Sequence, residues 1–199
     1  MSLEKPWQKP FEKLLQEFLQ QCRGEISRPG SKGELPSWGD DLSFFFYPTF
    51  HGELQGQTFT IEISEFPASG FSDFEAADNV EYLRIFITKP TEYSVQVIHE
   101  SWFHRLEKKF HLDREFQTGN SEFDRRYYLR SQADKDRQLL QDPRFQEMIM
   151  SLESFSVLQV LDSGVRWSQM ISDEKQLEFL VVDDYLKRML KLAATISAR

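Results

Sequence analysis

Thr58-Phe59-Thr60-Ile61-Glu62-Ile63-Ser64 decides how this chain is read. Phe59, Ile61 and Ile63 fall on one side, and Thr58, Thr60 and Glu62 on the other. A period of two is the mark of a strand with one buried face. Working outward, Glu81–Thr88 sends Leu83, Ile85 and Ile87 one way and Tyr82, Arg84 and Phe86 the other. Tyr93, Val95 and Val97 alternate again after Pro90. On the N-terminal side, Leu42–Phe50 holds Phe44-Phe45-Phe46-Tyr47, apolar on both faces, and His51–Gly56 reads as a turn. Short alternating strands joined by polar turns predict an antiparallel meander.

Helical spacing flanks these strands. Phe11, Leu14, Leu15, Phe18, Leu19 and Cys22 form a stripe with Lys, Glu and Gln between, so residues 1–23 are read as an N-terminal amphipathic helix stopped near Gly24. Such a stripe faces a core, or else a dimer partner. Residues 24–41, with four glycines, two prolines and Asp40-Asp41 among them, are read as a linker or loop. Trp102, Phe103, Leu106 and Phe110 predict a helix over 100–111. Ser131-Gln132-Ala133-Asp134 is read as a capping box, with the serine hydroxyl accepting an orphan N–H. Asp142-Pro143 opens another helix. Val157–Leu161 and Val165–Gln169 flank the turn Asp162-Ser163-Gly164 as a hairpin. A final helix is expected from about 175 to 197, with Val182, Tyr185, Leu186, Met189, Leu190, Ala193 and Ile196 on its apolar face. Strands and helices cluster rather than alternate, so the expected class is α+β: a mainly antiparallel sheet with amphipathic helices at the N-terminus, middle and C-terminus. Residues 42–199 are read as one domain, with a weak two-half pseudo-repeat over 42–112 and 113–199.

Composition narrows the function. The 199 residues carry 24 Lys and Arg against 32 Asp and Glu, a net charge of -8. Such a body repels phosphate backbones and anionic lipid, so no nucleic-acid partner is expected. Arg114, Arg125, Arg126 and Arg130 lie near Tyr127 and Tyr128, but Asp113, Glu115, Glu122, Asp124, Asp134 and Asp136 nearly cancel them. The single cysteine, Cys22, excludes an internal disulfide and a thiolate metal cluster within one chain. No signal peptide and no membrane span is read, and a cytoplasmic protein is expected.

Motifs of catalysis are sparse. There is no G-x-S-x-G elbow, no phosphate loop and no G-x-G-x-x-G. Asp183 and Asp184 point about 100° apart on a helix and are no shared-proton dyad. His99-Glu100 with His104 lacks the i, i+4 histidines of a zinc protease. His104, Glu107 and His111, at i, i+3 and i+7, share one helix face and are the candidate metal ligands. A solvated polar face near a helix end explains the same spacing. No cofactor is expected.

The run Phe116–Ser131 contains Thr118-Gly119-Asn120-Ser121-Glu122-Phe123-Asp124-Arg125-Arg126-Tyr127-Tyr128-Leu129-Arg130-Ser131. It resembles a T-G-D-x-x-F-D-x-x-F/Y-x-V/L-x-S pattern in a family of conserved bacterial proteins of unknown function. Trp102–Phe110 is similar to the helix preceding that pattern, and Asp134, Leu139 and Leu140 to the part following it. The likeness covers roughly 83–197. Asn120 stands where the pattern has aspartate. The resemblance implies no catalytic residue. Members of the family often carry membrane segments ahead of this domain, and none is read here. The residues themselves predict a structural motif: Gly119 in a positive-φ turn, then a strand with Phe123, Tyr127 and Leu129 on one side, and Asp124 accepting backbone N–H groups or pairing with Arg125 or Arg126.

Two functions follow as expectations. The first is a soluble, non-enzymatic interaction domain that meets a protein partner or a second copy of itself. The alternative is a ligand-binding domain or enzyme with an aromatic pocket lined by Phe44–Tyr47 and Trp167, with His104, Glu107 or Asp124 at its mouth.

Overall fold

A computed structural model describes residues 6–28, 47–66, 80–99, 116–131 and 133–197. The elements are α1 (Gln8–Gln21), β1 (Arg23–Ser27), β2 (Thr49–Leu54), β3 (Gln57–Phe66), β4 (Val80–Thr88) and β5 (Val95–His99). Then come α2 (Ser121–Arg126), β6 (Tyr127–Ser131), α3 (Asp134–Gln141), α4 (Pro143–Ser151), β7 (Val157–Leu161) and β8 (Gly164–Met170). A 3₁₀ turn (Glu174–Leu177) and α5 (Phe179–Ser197) close the chain. The eight described strands form one antiparallel sheet in the order β1-β2-β3-β4-β8-β7-β5-β6. With helices at the N-terminus, middle and C-terminus, the class is α+β, as the clustering of strands and helices predicts. Two compact units divide the chain: Met1–Ile85 with Met170–Asp184, and Phe86–Gln169 with Tyr185–Arg199.

In the first unit α1 lies on the sheet through Phe11, Leu14, Leu15 and Phe18, all buried. The Phe18 ring sits 5.8 Å from that of Phe50 and 6.3 Å from that of Phe59. The helix stripe therefore packs within its own chain. Leu19, at the edge of the stripe, is 36% exposed. Gly24 and Gly52 are cross-strand partners on β1 and β2. A Cβ on Gly24 would stand 2.5 Å from Cζ of Phe50, and one on Gly52 would stand 2.5 Å from Cε1 of Phe50 and 2.6 Å from Cζ of Phe59. Both glycines clear room for phenyl rings. This corrects two expectations. Gly24–Ser27 is strand rather than the start of a loop, and His51–Leu54 is strand rather than turn. The turn narrows to Gln55 and Gly56, at φ 55° and 73°, the left-handed pair of a tight hairpin. On the other face Glu25, His51 and Thr60 stand in one cross-strand row.

In the second unit Val95, Val97, Leu129, Leu158, Val160, Val165 and Trp167 are buried, and β5 pairs with both β6 and β7. The expected hairpin is present, with β7 and β8 in register from Val157↔Ser168 to Leu161↔Gly164. Asp142 caps α4 by accepting from Arg144 N at 2.8 Å, with Pro143 in the first turn, as expected. The capping box expected at Ser131 is not the cap of α3. Ser131 ends β6, and the Asp136 carboxylate instead reaches back to accept from Ala133 N at 3.0 Å. Asp136 is buried, and its other oxygen accepts from Ser94 N at 3.0 Å, so one side chain ties the start of α3 to the entry of β5.

The terminal helix begins at Phe179, not 175. Asp173 accepts from Lys175 N at 3.0 Å and holds 174–177 as a separate 3₁₀ turn. Within α5, Val182, Leu186, Met189, Leu190, Ala193 and Ile196 of the expected stripe are buried, and Tyr185 is half-buried. No described helix is long and apolar enough to cross a membrane.

Candidate functional site

Two places gather the notable side chains: the family-like segment and a groove beside α1. The family-like segment opens with Gly119 at φ +90°. Asn120 Oδ1 then accepts from Glu122 N at 3.2 Å and Phe123 N at 3.3 Å, which caps a helical turn over Ser121–Arg126. The expected strand therefore starts only at Tyr127. Phe123 and Tyr127 share a side by helical i, i+4 spacing, not by strand alternation, and their ring centroids are 4.9 Å apart. The Tyr127 ring stacks on Phe155 at 5.4 Å, with His99 edge-on at 5.7 Å.

Asp124 turns back onto the loop. Its Oδ1 accepts from Thr118 N at 2.9 Å and Thr118 Oγ1 at 2.8 Å, and its Oδ2 accepts from Gly119 N at 3.1 Å. Of the two expectations for Asp124, the backbone bonds are the ones present. Arg126 pairs instead with Glu122, at 2.6 Å on the surface. Asn120 Nδ2 donates to Gln146 Oε1 at 2.7 Å, and Gln146 Nε2 donates to Leu140 O at 2.7 Å. That relay runs from α2 to the end of α3. An aspartate at 120 could cap the helix but could not donate to Gln146. Burial raises the Tyr127 phenol above its usual value of 10.0, while the nearby Arg126 charge pulls it partly back. Gly119, Phe123, Asp124 and Tyr127 are thus brought together, each occupied by turn, cap or core contacts.

His104, Glu107 and His111 lie outside the described residues, as do Phe44–Phe46 and the helix expected over 100–111. Trp167 is fully buried and lies 4.8 Å from Tyr185, ring to ring. Among the described residues no group of three or more His, Cys, Asp and Glu side chains is arranged to hold a metal ion. His51 lies between Ser27 Oγ at 3.2 Å and Thr60 Oγ1 at 3.3 Å on the exposed sheet face. Among the described residues no carboxylate is bonded to that imidazole to orient it as a base.

The groove belongs to the first unit and has a volume of about 740 Å³. One wall is a second stripe of α1: Pro10, Lys13, Leu14, Glu17, Gln20 and Gln21. The opposite wall is the 3₁₀ turn and the start of α5. Gln176 Oε1 accepts from Ser172 N at 2.7 Å and Asp173 N at 3.0 Å, and with the Asp173 cap this fixes the turn. Glu178 O accepts from Val181 N and Val182 N and starts the helix. Buried Leu14 and Leu177 form the floor. Phe179 is half-buried and rests on Phe18, with centroids 4.9 Å apart. Leu180 stands out at 78% exposed.

Charge rims this apolar floor. Lys13 and Glu17 line the α1 wall, and Asp173, Glu174, Lys175 and Glu178 line the opposite one. Among the described residues none of Lys13, Glu17, Glu174, Lys175 and Glu178 has an ion-pair partner. Sequence reading missed this site, because Leu180 lies off the buried stripe of α5 and the 3₁₀ turn hides the break between its walls. The one signal was a leucine in the first helical turn out of phase with Val182, Leu186 and Met189.

The chain matches no protein-family model and no curated protein.

Proposed function

We propose that this protein is a non-enzymatic interaction module whose contact site is the groove between α1 and the 173–180 segment. The observation that carries this reading is Leu180, 78% exposed beside an apolar floor while the buried stripe of its own helix is satisfied. A lone exposed leucine is unremarkable. One that borders an open trough between two helices offers a docking surface for a segment of another protein. The residues that resemble the bacterial family pattern support the same reading from the other direction. Their polar atoms are engaged in capping Ser121–Arg126 and closing its turn, which leaves them a fold-holding role.

Selection from a random peptide library on immobilised protein tests this. The wild type should enrich a related set of peptides, and Leu180→Asp should lose them while melting as the wild type does. Enrichment of the same peptides by both proteins, or of none, would remove the reading.

A further inference from the structure

We infer that the segment received in the groove is cationic and amphipathic, an apolar anchor flanked by Lys or Arg; this rests on the groove being a protein-docking site. The lining holds four carboxylates and two ammonium groups, an excess of two negative charges around Leu14, Leu177, Phe179 and Leu180. None of those six charged side chains has an ion-pair partner among the described residues. Asp173 accepts from the backbone N–H of Lys175. Among the described residues no cation is paired with these carboxylates, so the net negative field of the lining acts on whatever enters the groove. A complementary potential steers encounter and rejects like-charged partners.

The chain's own charge of -8 argues against a second copy as the occupant. It equally disfavours nucleic acid and anionic membrane. Helical rise sets the span: Pro10 to Gln21 on α1 extends about 17 Å. About three turns of helix, or about five extended residues, fill that length. Leu180 and Phe179 offer the apolar contact for one anchoring side chain, and Glu17, Glu174 and Glu178 meet the flanking cations.

The test uses two labelled synthetic peptides with the same central leucine-rich face, one flanked by lysines and one by glutamates. Binding to the full chain is read by fluorescence anisotropy at low and at high salt. Exposed charge pairs each shift affinity by roughly two- to fivefold. Two net pairs should therefore favour the lysine peptide by about tenfold at low salt, with the preference shrinking as salt rises. Glu17→Lys with Glu174→Lys should reverse the preference at unchanged melting temperature. Leu180→Asp should weaken both peptides. Equal binding of the two peptides, or preference for the glutamate peptide, with sensitivity to Leu180→Asp retained, would overturn the cationic assignment and leave the docking site standing. Binding of neither peptide, or binding insensitive to Leu180→Asp, would overturn both.

Discussion

Replacing Gly52 with alanine places a methyl group where two phenyl rings already meet. The new Cβ would stand 2.5 Å from Phe50 Cε1, 2.6 Å from Phe59 Cζ and 2.9 Å from Phe59 Cε1. Carbon atoms rest at about 3.5–4.0 Å, so the rings must retreat by roughly 1 Å. They have little room to do so. Phe50 and Phe59 are fully buried, 5.7 Å apart, and both are covered by the Phe18 ring of α1. Overpacking of this kind costs about 1–3 kcal/mol, partly offset by about 0.4–1 kcal/mol from the stiffer unfolded chain. For a chain of this size each kcal/mol lowers the melting temperature by about 2–4 °C. Urea titration should show a lower midpoint at unchanged slope. Trimming the ring should relieve the clash, so Gly52→Ala with Phe59→Leu should be less destabilised than the sum of the single changes, by at least about 0.5 kcal/mol. Gly56 is the control. It has φ +73° with open space around it, so asparagine, which tolerates that region, should change stability by less than about 0.5 kcal/mol. Gly52→Ala as stable as the wild type, or strict additivity with Phe59→Leu, would refute the packing of α1 over these rings.

Three further outcomes are expected. Asn120→Asp keeps the helix cap but sets a carboxylate against Gln146 Oε1, and should cost about 1–3 kcal/mol in urea titration; a neutral result would mean the relay to Gln146 contributes nothing. Asp136→Ala removes a buried carboxylate that joins Ala133 N to Ser94 N, and should cost about 1–3 kcal/mol, with faster amide exchange at both positions. Tyr127 carries a phenol raised above 10.0 by burial. The folded state keeps that proton after the unfolded chain loses it, so stability should fall as pH rises through about 10 toward the folded value. Tyr127→Phe should flatten that part of the stability–pH curve, and a curve of unchanged slope would show that another group sets it.

Much of the sheet was legible in the sequence because strand alternation is local. Phe59, Ile61 and Ile63 are buried as their spacing requires; in β4 Leu83, Ile85 and Ile87 are buried, but so are Tyr82, Arg84 and Phe86 on the other face. The helix stripes of α1 and α5 were legible for the same reason. What failed depends on partners distant in sequence. Glycine at 24 and 52 reads as a breaker, yet both sit in paired strands, because the rings of Phe50 and Phe59 need the space. Ser121–Arg126 reads as strand until Asn120 and Asp124 close on their own backbone and make a helical turn. Ser131 looks like a cap, but Asp136 takes that task from inside the helix. The groove was illegible for a similar reason: its walls come from residues 10–21 and 173–180, joined only by folding.

The most direct measurement is a titration of the isotope-labelled full chain with the lysine-flanked peptide, followed by amide chemical shifts. Shifts concentrated at 10–21 and 173–180, with Thr118–Ser131 unmoved, are the expected result. Shifts centred on Thr118–Ser131 would contradict the assignment of that segment to the scaffold and of the α1 groove to recognition.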